Sequence, residues 1–354
     1  GQRGVRPLHQ RMSTFRMIAP TSLISRIARR AAEQPTAPAL VAADGCLDWA
    51  ALWAWSERLA AALAAQGVAP GSRVLLALPR GGALVAALLA VWRLRAAYVP
   101  VDPVLPAARL AWQAEDCGAC AAIAADALAW LPPQLPLVAP DAVAQAALPA
   151  VAAGAAAETA YVIYTSGSSG RPKGVVVSHG ALAAYLHGFS ERLPADIGSA
   201  AYVSTPAADL GHTVLFGALW HGWTLHMIDA SAAADPDAFA AAMAAADVDL
   251  LKIVPSHLEA LLQAQSPAAV LPRRCLVLGG EAAPARLAER IAALRPDCAL
   301  INHYGPTETT VGVLTRGGGQ SRSATLPLGR PLAHASARVL DADGNAVPKG
   351  VAVR

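Results

Sequence analysis

A segment rich in glycine, hydroxyl groups and cations, YTSGSSGRPKG at residues 164–174, follows a short apolar stretch. Glycines let backbone N–H groups approach an anion closely, because no Cβ obstructs them. Hydroxyl side chains add further donors, and Arg171 and Lys173 add positive charge. A polyphosphate is the ligand that suits this chemistry. The candidate phosphate-binding residues are Thr165, Ser166, Gly167, Ser168, Ser169, Gly170 and Lys173.

Two common nucleotide-binding motifs match this segment poorly. In a P-loop, GxxxxGK[ST], the lysine is followed by Ser or Thr and a helix begins there. Here Gly174 follows Lys173, and Pro172 stands where the helix should be starting. The dinucleotide fingerprint GxGxxG is not matched either. A solvated loop between two strands and an unrelated P-loop-like NTPase stay open as alternatives.

A second stretch, INHYGPTETT at residues 301–310, combines a forced turn with a lone carboxylate. Gly305 begins the turn, Thr307 offers a hydroxyl, and Tyr304 offers a flat face for a base. Ligands of open α/β sheets collect at the carboxyl ends of the strands, where this stretch should lie. A carboxylate beside phosphates is repulsive unless a divalent cation lies between them, so Glu308 suggests Mg²⁺.

A third stretch, LVLGGEA at residues 276–282, ends an apolar run in two glycines and Glu281. It has two interpretations. It could line a nucleotide pocket beside the second stretch, or it could be an ordinary turn from a strand into a helix.

Composition limits the classes of function. The net charge of +3 is too small to argue for nucleic acid or an anionic membrane as a partner. The longest strongly apolar helical candidate, 82–92, is about half the length that spans a bilayer. An odd, scattered set of five cysteines indicates a reducing compartment, and the CxxC at 117–120 lacks a second ligand pair for zinc. We therefore expect a soluble cytoplasmic protein without nucleic acid or membrane partners.

The first residues are rich in arginine and free of acidic side chains up to Glu33. Such a start is typical of an organellar presequence, but a disordered tail or an over-extended start before Met12 is the simpler interpretation. We predict that residues 1–20 form a disordered tail.

Apolar runs and amphipathic stretches alternate along the rest of the chain. Apolar residues at helical spacing predict a helix around 52–63 that stops before Gly67. Further helices are predicted at 82–92, 106–116, from 179, 237–246, 256–264 and 284–294. Strands are predicted at 73–78, 96–101, 160–163, 175–177, 201–204, 225–228, 250–254, 275–278 and 299–302. Residues 131–154 show little period and should form a surface connection.

This alternation predicts an α/β fold with two doubly wound, mostly parallel sheets covered by helices, layered αβαβα. After Gly312 the sequence pattern changes to Gly/Ser-rich loops and short polar strands. This pattern predicts the start of a small β-barrel-like unit. The expected divisions are a first α/β subdomain with the phosphate loop at 21–200, a second with the amino-acid and adenine pocket at 201–312, and the β unit at 313–354.

Taken together, the three stretches resemble the amino-acid adenylation domains of nonribosomal peptide synthetases, which belong to the adenylate-forming, AMP-binding superfamily. The resemblance covers residues 21–354 and includes LDWAALWAWSERLAAAL, LRAAYVPVD, YTSGSSGRPKG and HYGPTETT. It implies an AMP-forming ligase that activates an amino acid carboxylate with ATP and Mg²⁺. The acyl group would then pass to the phosphopantetheine thiol of a carrier protein domain.

The resemblance also implies roles for individual residues. Residues 165–173 would cover the β- and γ-phosphates, Thr307 would contact the α-phosphate, and Glu308 would hold Mg²⁺. Asn302 would read the adenine and Tyr304 would stack on it. The remaining nucleotide-binding candidates are Gly279, Gly280, Glu281 and Gly305. The catalytic candidates are Thr165, Lys173, Thr307 and Glu308.

The segment TPAADLGHTVLFG resembles the substrate motif of these domains, with Ala208 where the family usually has Phe. Asp209 falls where the carboxylate pairs with the substrate α-ammonium, which implies an α-amino acid. Aspartate is the favoured substrate, and His303 could pair with its side-chain carboxylate. The candidate pocket is Asp209, Leu210, Thr213, Ser256, Val277, Gly279, His303, Val311 and Gly312.

Two alternatives stay open within this resemblance. An acyl-CoA or aryl-acid ligase would share the phosphate loop but would not need Asp209. A truncated, non-catalytic ATP- or amino-acid-binding fragment is also possible, because the chain ends before the ribose-binding Asp and the C-terminal domain with its lysine that the family carries. We therefore expect little adenylation from residues 1–354 alone.

Overall fold

The structure is a computed structural model that describes residues 22–144, 148, 158–166, 171–319 and 321–348. The predicted tail at 1–20 lies outside these residues. So do four candidates of the phosphate loop: Gly167, Ser168, Ser169 and Gly170.

Helices and strands alternate along the described residues. The α-helices are α1 (Leu23–Glu33), α2 (Trp49–Ala65), α3 (Gly82–Arg93), α4 (Ala107–Asp116), α5 (His179–Ser190), α6 (His212–His221), α7 (Ala230–Ala234), α8 (Pro236–Ala246), α9 (Pro255–Leu261) and α10 (Ala285–Leu294). The strands are β1 (Pro38–Ala42), β2 (Gly45–Asp48), β3 (Arg73–Ala77), β4 (Ala97–Pro100), β5 (Ala121–Ala124), β6 (Leu137–Val138), β7 (Thr159–Thr165), β8 (Lys173–Ser178), β9 (Ser199–Tyr202), β10 (Thr224–Met227), β11 (Leu250–Ile253), β12 (Cys275–Gly279), β13 (Ala299–Tyr304), β14 (Leu314–Gly317) and β15 (Arg330–Pro331).

The strands form two sheets that are parallel in their interiors. The larger sheet has the order β15-β14-β13-β12-β11-β9-β10-β1-β2, and only the pairings at its two ends are antiparallel. The smaller sheet has the order β6-β5-β3-β4-β7-β8, with β7 and β8 antiparallel. The predicted pair of mostly parallel sheets is confirmed, and the predicted strands and helices lie within a few residues of the observed ones.

Alternate side chains along the strands build the layers. Leu250 packs into a cluster that contains both sheets and α3, whereas its neighbour Leu251 packs into a second cluster with α8, α9 and α10. Leu75 of the smaller sheet packs into a third cluster with α4. Because successive strand residues point to opposite faces, each sheet has helices on both sides. The predicted αβαβα layering is therefore confirmed.

Helix α3 explains why the two sheets stay together. Its sequence, GALVAALLAVWR, is apolar on nearly every side, and all its residues except Ala83 are buried. A helix that is apolar all round is stable only when it is enclosed. Among the helices of the described residues, none has the length and apolarity that a transmembrane span needs.

Sheet membership departs from the order of the chain at two places. Strands β1 and β2, within the predicted subdomain 21–200, join the larger sheet through β10. Strands β14 and β15, assigned to a separate β unit from 313 onward, extend the same sheet from β13. Local patterns predict a strand but not its partner, because pairing depends on backbone hydrogen bonds between distant segments. The domain boundaries themselves stay a prediction.

Candidate active site

The segments that carry the candidate residues meet at the carboxyl ends of the parallel strands in the larger sheet. Asp209 begins a 3₁₀ helix that follows β9, Gly279 ends β12, and His303 lies near the end of β13. This edge of an open α/β sheet is the usual place for a ligand. The motifs that the sequence singled out therefore lie together.

The predicted phosphate loop connects two antiparallel strands of the smaller sheet. Thr165, the last residue of β7, pairs with Lys173, the first residue of β8. Lys173 and Ser166 are exposed, as groups that bind a ligand should be. A strand after the lysine, in place of a helix, rules out P-loop geometry.

A short 3₁₀ helix, Thr307–Thr309, contacts β8 and so brings the second motif beside the phosphate loop. The Glu308 carboxylate is exposed, and within the described ranges it forms no salt bridge. An exposed carboxylate that forms no salt bridge, next to the predicted phosphate loop, fits a divalent cation, which prefers oxygen ligands. The described residues contain no cluster of three or more acidic, His or Cys groups that would hold a metal without phosphate oxygens.

A cavity of about 590 Å³ lies between the strand ends and the loop 325–328. Its lining includes Gly280, Glu281, Tyr304 and Gly305, which are the predicted nucleotide-binding residues. The Tyr304 side chain is 45% exposed, so its ring is available to stack on a base. The size and lining of the cavity suit a nucleotide.

Two predicted residues near this cavity are already engaged with other protein groups. The Asn302 amide nitrogen donates to the carbonyls of Leu326 and Pro327, at 3.4 and 2.9 Å, and so holds the loop that lines the cavity. The Ser256 hydroxyl donates to Glu281 at 2.8 Å, and Ser256 is exposed. The Ser256 hydroxyl is therefore committed to Glu281, and its place in the amino-acid pocket stays a prediction.

Asp209 presents a buried acceptor to the pocket. Its Oδ2 is buried and has no hydrogen-bond partner within the part of the chain that the structure describes. The pKa of the Asp209 carboxyl is raised because the group is buried. The Lys252 ammonium, the Thr307 side chain and the Val311 N–H oppose this shift but do not cancel it. An unpaired buried carboxylate oxygen is costly, so this site is suited to a cationic ligand group.

Sequence reasoning missed Lys252, a lysine in the middle of the buried strand β11. It is 1% exposed, and its Nζ donates to the Thr213 hydroxyl at 2.7 Å. Burial lowers the pKa of the Lys252 ammonium to about 7, although the Asp209 carboxylate opposes that shift. The available signal was a single cation within the apolar run LLKI, because a lysine is almost never fully buried without a partner.

The same cluster continues through Tyr185 to His303. The Tyr185 hydroxyl lies 2.6 Å from Thr213 Oγ1 and 3.2 Å from His303 Nε2. Burial, and to a lesser extent the charge of Lys252, holds the pKa of His303 well below its usual range. This imidazole is therefore neutral at physiological pH. Lys252, rather than His303, is therefore the cation available for an anionic group in this pocket.

Two glycines make room for these side chains. A Cβ on Gly279 would lie 2.8 Å from the His303 carbonyl oxygen and 3.4 Å from Lys252 Cε. A Cβ on Gly312 would overlap the His303 ring. Both positions therefore need glycine for the pocket to keep its shape, and both were among the predicted pocket residues.

The turn that closes the pocket is strained. Thr310 and Val311 both have φ of 63°, and the Gly312 N–H donates to the Thr310 carbonyl at 2.6 Å across Val311. A β-branched residue rarely adopts positive φ. The Val311 N–H contributes to lowering the pKa of Asp209, so the strained turn lies against the Asp209 carboxylate.

The predicted pocket is thus brought together in large part. Thr213 and His303 share one hydrogen-bond partner, Tyr185, and Asp209 interacts with Lys252 and Val311. Val277 is fully buried in β12, and Leu210 lies near Gly280.

Comparison with known proteins agrees with this geometry. The model of a family described as AMP-binding enzyme matches residues 27–352. The isonitrile lipopeptide synthase of Mycobacterium tuberculosis is 34% identical over 340 residues, covering 94% of this chain and 13% of that protein. The phosphinothricin tripeptide synthetase PhsB of Streptomyces viridochromogenes is 35% identical over 340 residues, covering 93% of this chain and 28% of that protein.

A solved structure of a nonribosomal peptide synthetase is also similar to this chain. The AMPPNP-bound form of the nonribosomal peptide synthetase FmoA3 superposes with a TM-score of 0.83 at 27% identity, covering 92% of this chain and 36% of that chain. The chain thus spans a minor part of each of these relatives. Since the family model matches nearly the whole sequence, this chain belongs to the AMP-binding enzyme family.

Proposed function

We propose that this chain forms the ATP- and amino-acid-binding part of an AMP-forming ligase that makes an aminoacyl adenylate. The aminoacyl group would then pass to the phosphopantetheine thiol of a carrier domain, as in nonribosomal peptide synthesis. The observation that carries the proposal is the buried, unpartnered Oδ2 of Asp209 beside Thr307. This anchor for a cationic group adjoins the motif that faces the phosphate hairpin.

Each charged or polar residue of the site would bind a substrate group of complementary charge. Asp209 would hold the α-ammonium and so orient the carboxylate of the amino acid. Lys173 and the Thr165 hydroxyl would neutralise the phosphates, and Glu308 would hold Mg²⁺. ATP, when bound, supplies the α-phosphate that the carboxylate attacks, and pyrophosphate leaves. Positioning and charge neutralisation of this kind account for most of the catalysis in phosphate chemistry.

The pocket also favours an amino acid with a second carboxylate. One carboxylate, Asp209, and one ammonium group, Lys252, interact within the same buried site. If Asp209 binds the α-ammonium, the Lys252 cation is left for an anion on the side chain. A short acidic side chain matches this arrangement, so aspartate is our first candidate, with Lys252 in the role that the sequence suggested for His303.

The cellular setting is part of the proposal. The five cysteines are all free thiols. Free thiols, and the need for ATP, favour the cytoplasm.

Amino-acid-dependent ATP–pyrophosphate exchange tests the proposal. It should be measured on the complete natural polypeptide that contains this chain, with each proteinogenic amino acid in turn. We expect exchange with aspartate that is lost in Asp209→Ala. Exchange with a different amino acid would retain the reaction and discard aspartate.

Two other outcomes would favour the alternatives. Exchange with an acid that lacks an amine, barely affected by Asp209→Ala, would indicate an acyl- or aryl-acid ligase. ATP binding without exchange for any amino or organic acid would indicate a non-catalytic binding module.

A further inference from the structure

The segment that leads from β9 to Asp209 is held by the opposite sheet. Residues 203–208 run from the end of β9, in the larger sheet, to the 3₁₀ helix that begins at Asp209. Two side chains from the smaller sheet reach this segment. Arg80 follows β3, and Asp102 follows β4.

The first contact passes through Thr205. Its Oγ1 donates to Asp102 Oδ2 at 2.9 Å and accepts from the Ala207 N–H at 3.3 Å. The Ala208 N–H also donates to the Thr205 carbonyl, at 3.3 Å. The Asp102 carboxylate therefore orients a turn that ends one residue before Asp209.

The second contact is made by Arg80. Its guanidinium donates to the Val203 carbonyl at the start of the same segment. Burial lowers the pKa of Arg80, and Tyr202, Asp229 and Asp102 are close enough to oppose that shift. Arg80 therefore lies where the strand ends of both sheets meet.

Arg80 and Asp102 come from the same sheet as the phosphate hairpin, which is formed by β7, the predicted phosphate loop and β8. Strand β4, which leads into Asp102, is the neighbour of β7. The amine anchor lies on one sheet and the phosphate-binding residues lie on the other. Contacts that cross between the sheets would fix the distance and angle between the two proposed ligand sites, on which the rate of the reaction depends.

We propose that Asp102, through Thr205, and Arg80 are positioning residues that hold Asp209 in register with the phosphate hairpin. This inference rests on the proposed function. Neither residue touches the substrate; each acts on the backbone segment that carries Asp209.

The test compares Thr205→Val with Thr205→Ser in the complete natural polypeptide. Thr205 is exposed, so neither change should unfold the protein. Valine keeps the shape and removes the hydroxyl, whereas serine keeps the hydroxyl. We expect Thr205→Val to lower kcat/KM for the amino acid about three- to tenfold, because the hydrogen bonds of the Thr205 hydroxyl with Asp102 and with the Ala207 N–H are lost, while the KM for ATP stays unchanged. Thr205→Ser should restore the wild-type value.

A matched control comes from the opposite edge of the same sheet. The Thr224 hydroxyl donates to the Pro38 carbonyl at 3.3 Å, at the amino end of β10. Thr224→Val removes a similar hydrogen bond far from Asp209 and should leave both KM values unchanged. Asp102→Ala should lower kcat/KM for the amino acid at least as much as Thr205→Val, because it also removes the carboxylate near Arg80. The double variant should lose less than the sum of the two single losses, because both changes break the hydrogen bond between Thr205 and Asp102.

The outcomes separate the two proposals. Wild-type protein that exchanges pyrophosphate with an amino acid, while Thr205→Val and Thr205→Ser behave alike or change both KM values equally, would overturn the positioning role alone. Wild-type protein with no amino-acid-dependent exchange would overturn the proposed function and the positioning role with it.

Discussion

The Lys252 ammonium donates a 2.7 Å hydrogen bond to the Thr213 hydroxyl inside a pocket where the lysine is 1% exposed. The Tyr185 hydroxyl lies at 2.6 Å from the same Thr213 oxygen and at 3.2 Å from Nε2 of the neutral His303. A buried ammonium with one neutral hydrogen-bond partner has lost most of its hydration. This lysine is therefore prepared to bind an anion, and several expectations rest on it.

Replacing Lys252 with methionine should remove the preference for an acidic side chain. We expect exchange with aspartate to fall by about a hundredfold or more, because the side-chain carboxylate would be buried without a partner. Exchange with asparagine should fall much less. Equal losses for the two amino acids in the exchange assay would contradict a role for Lys252 in recognising charge.

The same variant should be more stable than the wild type in a way that depends on pH. The pKa of Lys252 is lower in the folded protein than in the unfolded chain, so folding disfavours its charged form. Its destabilising effect is absent above the unfolded pKa, grows as the pH falls towards about 7, and is constant below that. The Tm advantage of Lys252→Met should therefore widen between about pH 10 and pH 7 and then level off. A constant advantage over this range would contradict burial as the cause.

Binding of an acidic substrate should weaken as the pH rises through about 7, where Lys252 in the empty pocket loses its proton. Burial holds the pKa of the neighbouring His212 at about 3 and that of His303 well below its usual range, so neither titrates in this window. We expect the KM for aspartate to rise by up to about tenfold per pH unit above this point. The KM for aspartate in Lys252→Met should not rise with pH in this way. If it still rises, a group other than Lys252 causes the pH dependence.

The strained turn at Val311 predicts a difference between glycine and alanine. Both substitutions remove the valine side chain, but only Val311→Gly relieves the positive φ. Val311→Gly should therefore be more stable than Val311→Ala by about 1 kcal/mol in urea unfolding. The glycine variant should also have the higher amino acid KM, because the relaxed turn no longer holds its N–H near Asp209. The opposite order of stabilities would show that the turn is not strained.

Gly312 and Gly317 form a matched pair for the space around His303. Gly312→Ala would push its methyl group into the imidazole, whereas a Cβ on Gly317 meets no atom within 4 Å. We expect Gly312→Ala to cost about 1–3 kcal/mol of stability and most amino acid binding. Gly317→Ala should change stability by less than about 0.5 kcal/mol. Thermal unfolding and pyrophosphate exchange measure both effects, and equal behaviour of the two variants would argue against the His303 contact.

Lys173 allows a test of the phosphate hairpin without loss of the fold. The side chain is exposed at the first position of β8, so Lys173→Ala should leave the Tm unchanged. The KM for ATP should rise about tenfold or more, because a charge-assisted contact to phosphate is lost. Lys173→Arg keeps the charge and should recover part of the affinity. An unchanged KM for ATP in Lys173→Ala would remove this lysine from the nucleotide site.

Several features of this protein could be determined from the sequence alone. The residues at 164–174 predicted a loop after a strand, and Pro172 with Gly174 argued against a P-loop, which agrees with the strand that begins at Lys173. Phosphate binding by this loop stays a prediction. Alternating apolar runs predicted the parallel sheets. The predictions of strands and helices succeed because they depend on residues that are close in the chain.

Only the tertiary structure decided which distant segments meet. It placed β1 and β2 in the larger sheet, put Ser256 against Glu281, and brought the buried Lys252 into contact with Thr213. It also joined Asp102 of one sheet to Thr205 of the other. Strand pairing, the direction of a buried side chain and its pKa depend on neighbours from distant parts of the chain, and a local pattern carries no information about them.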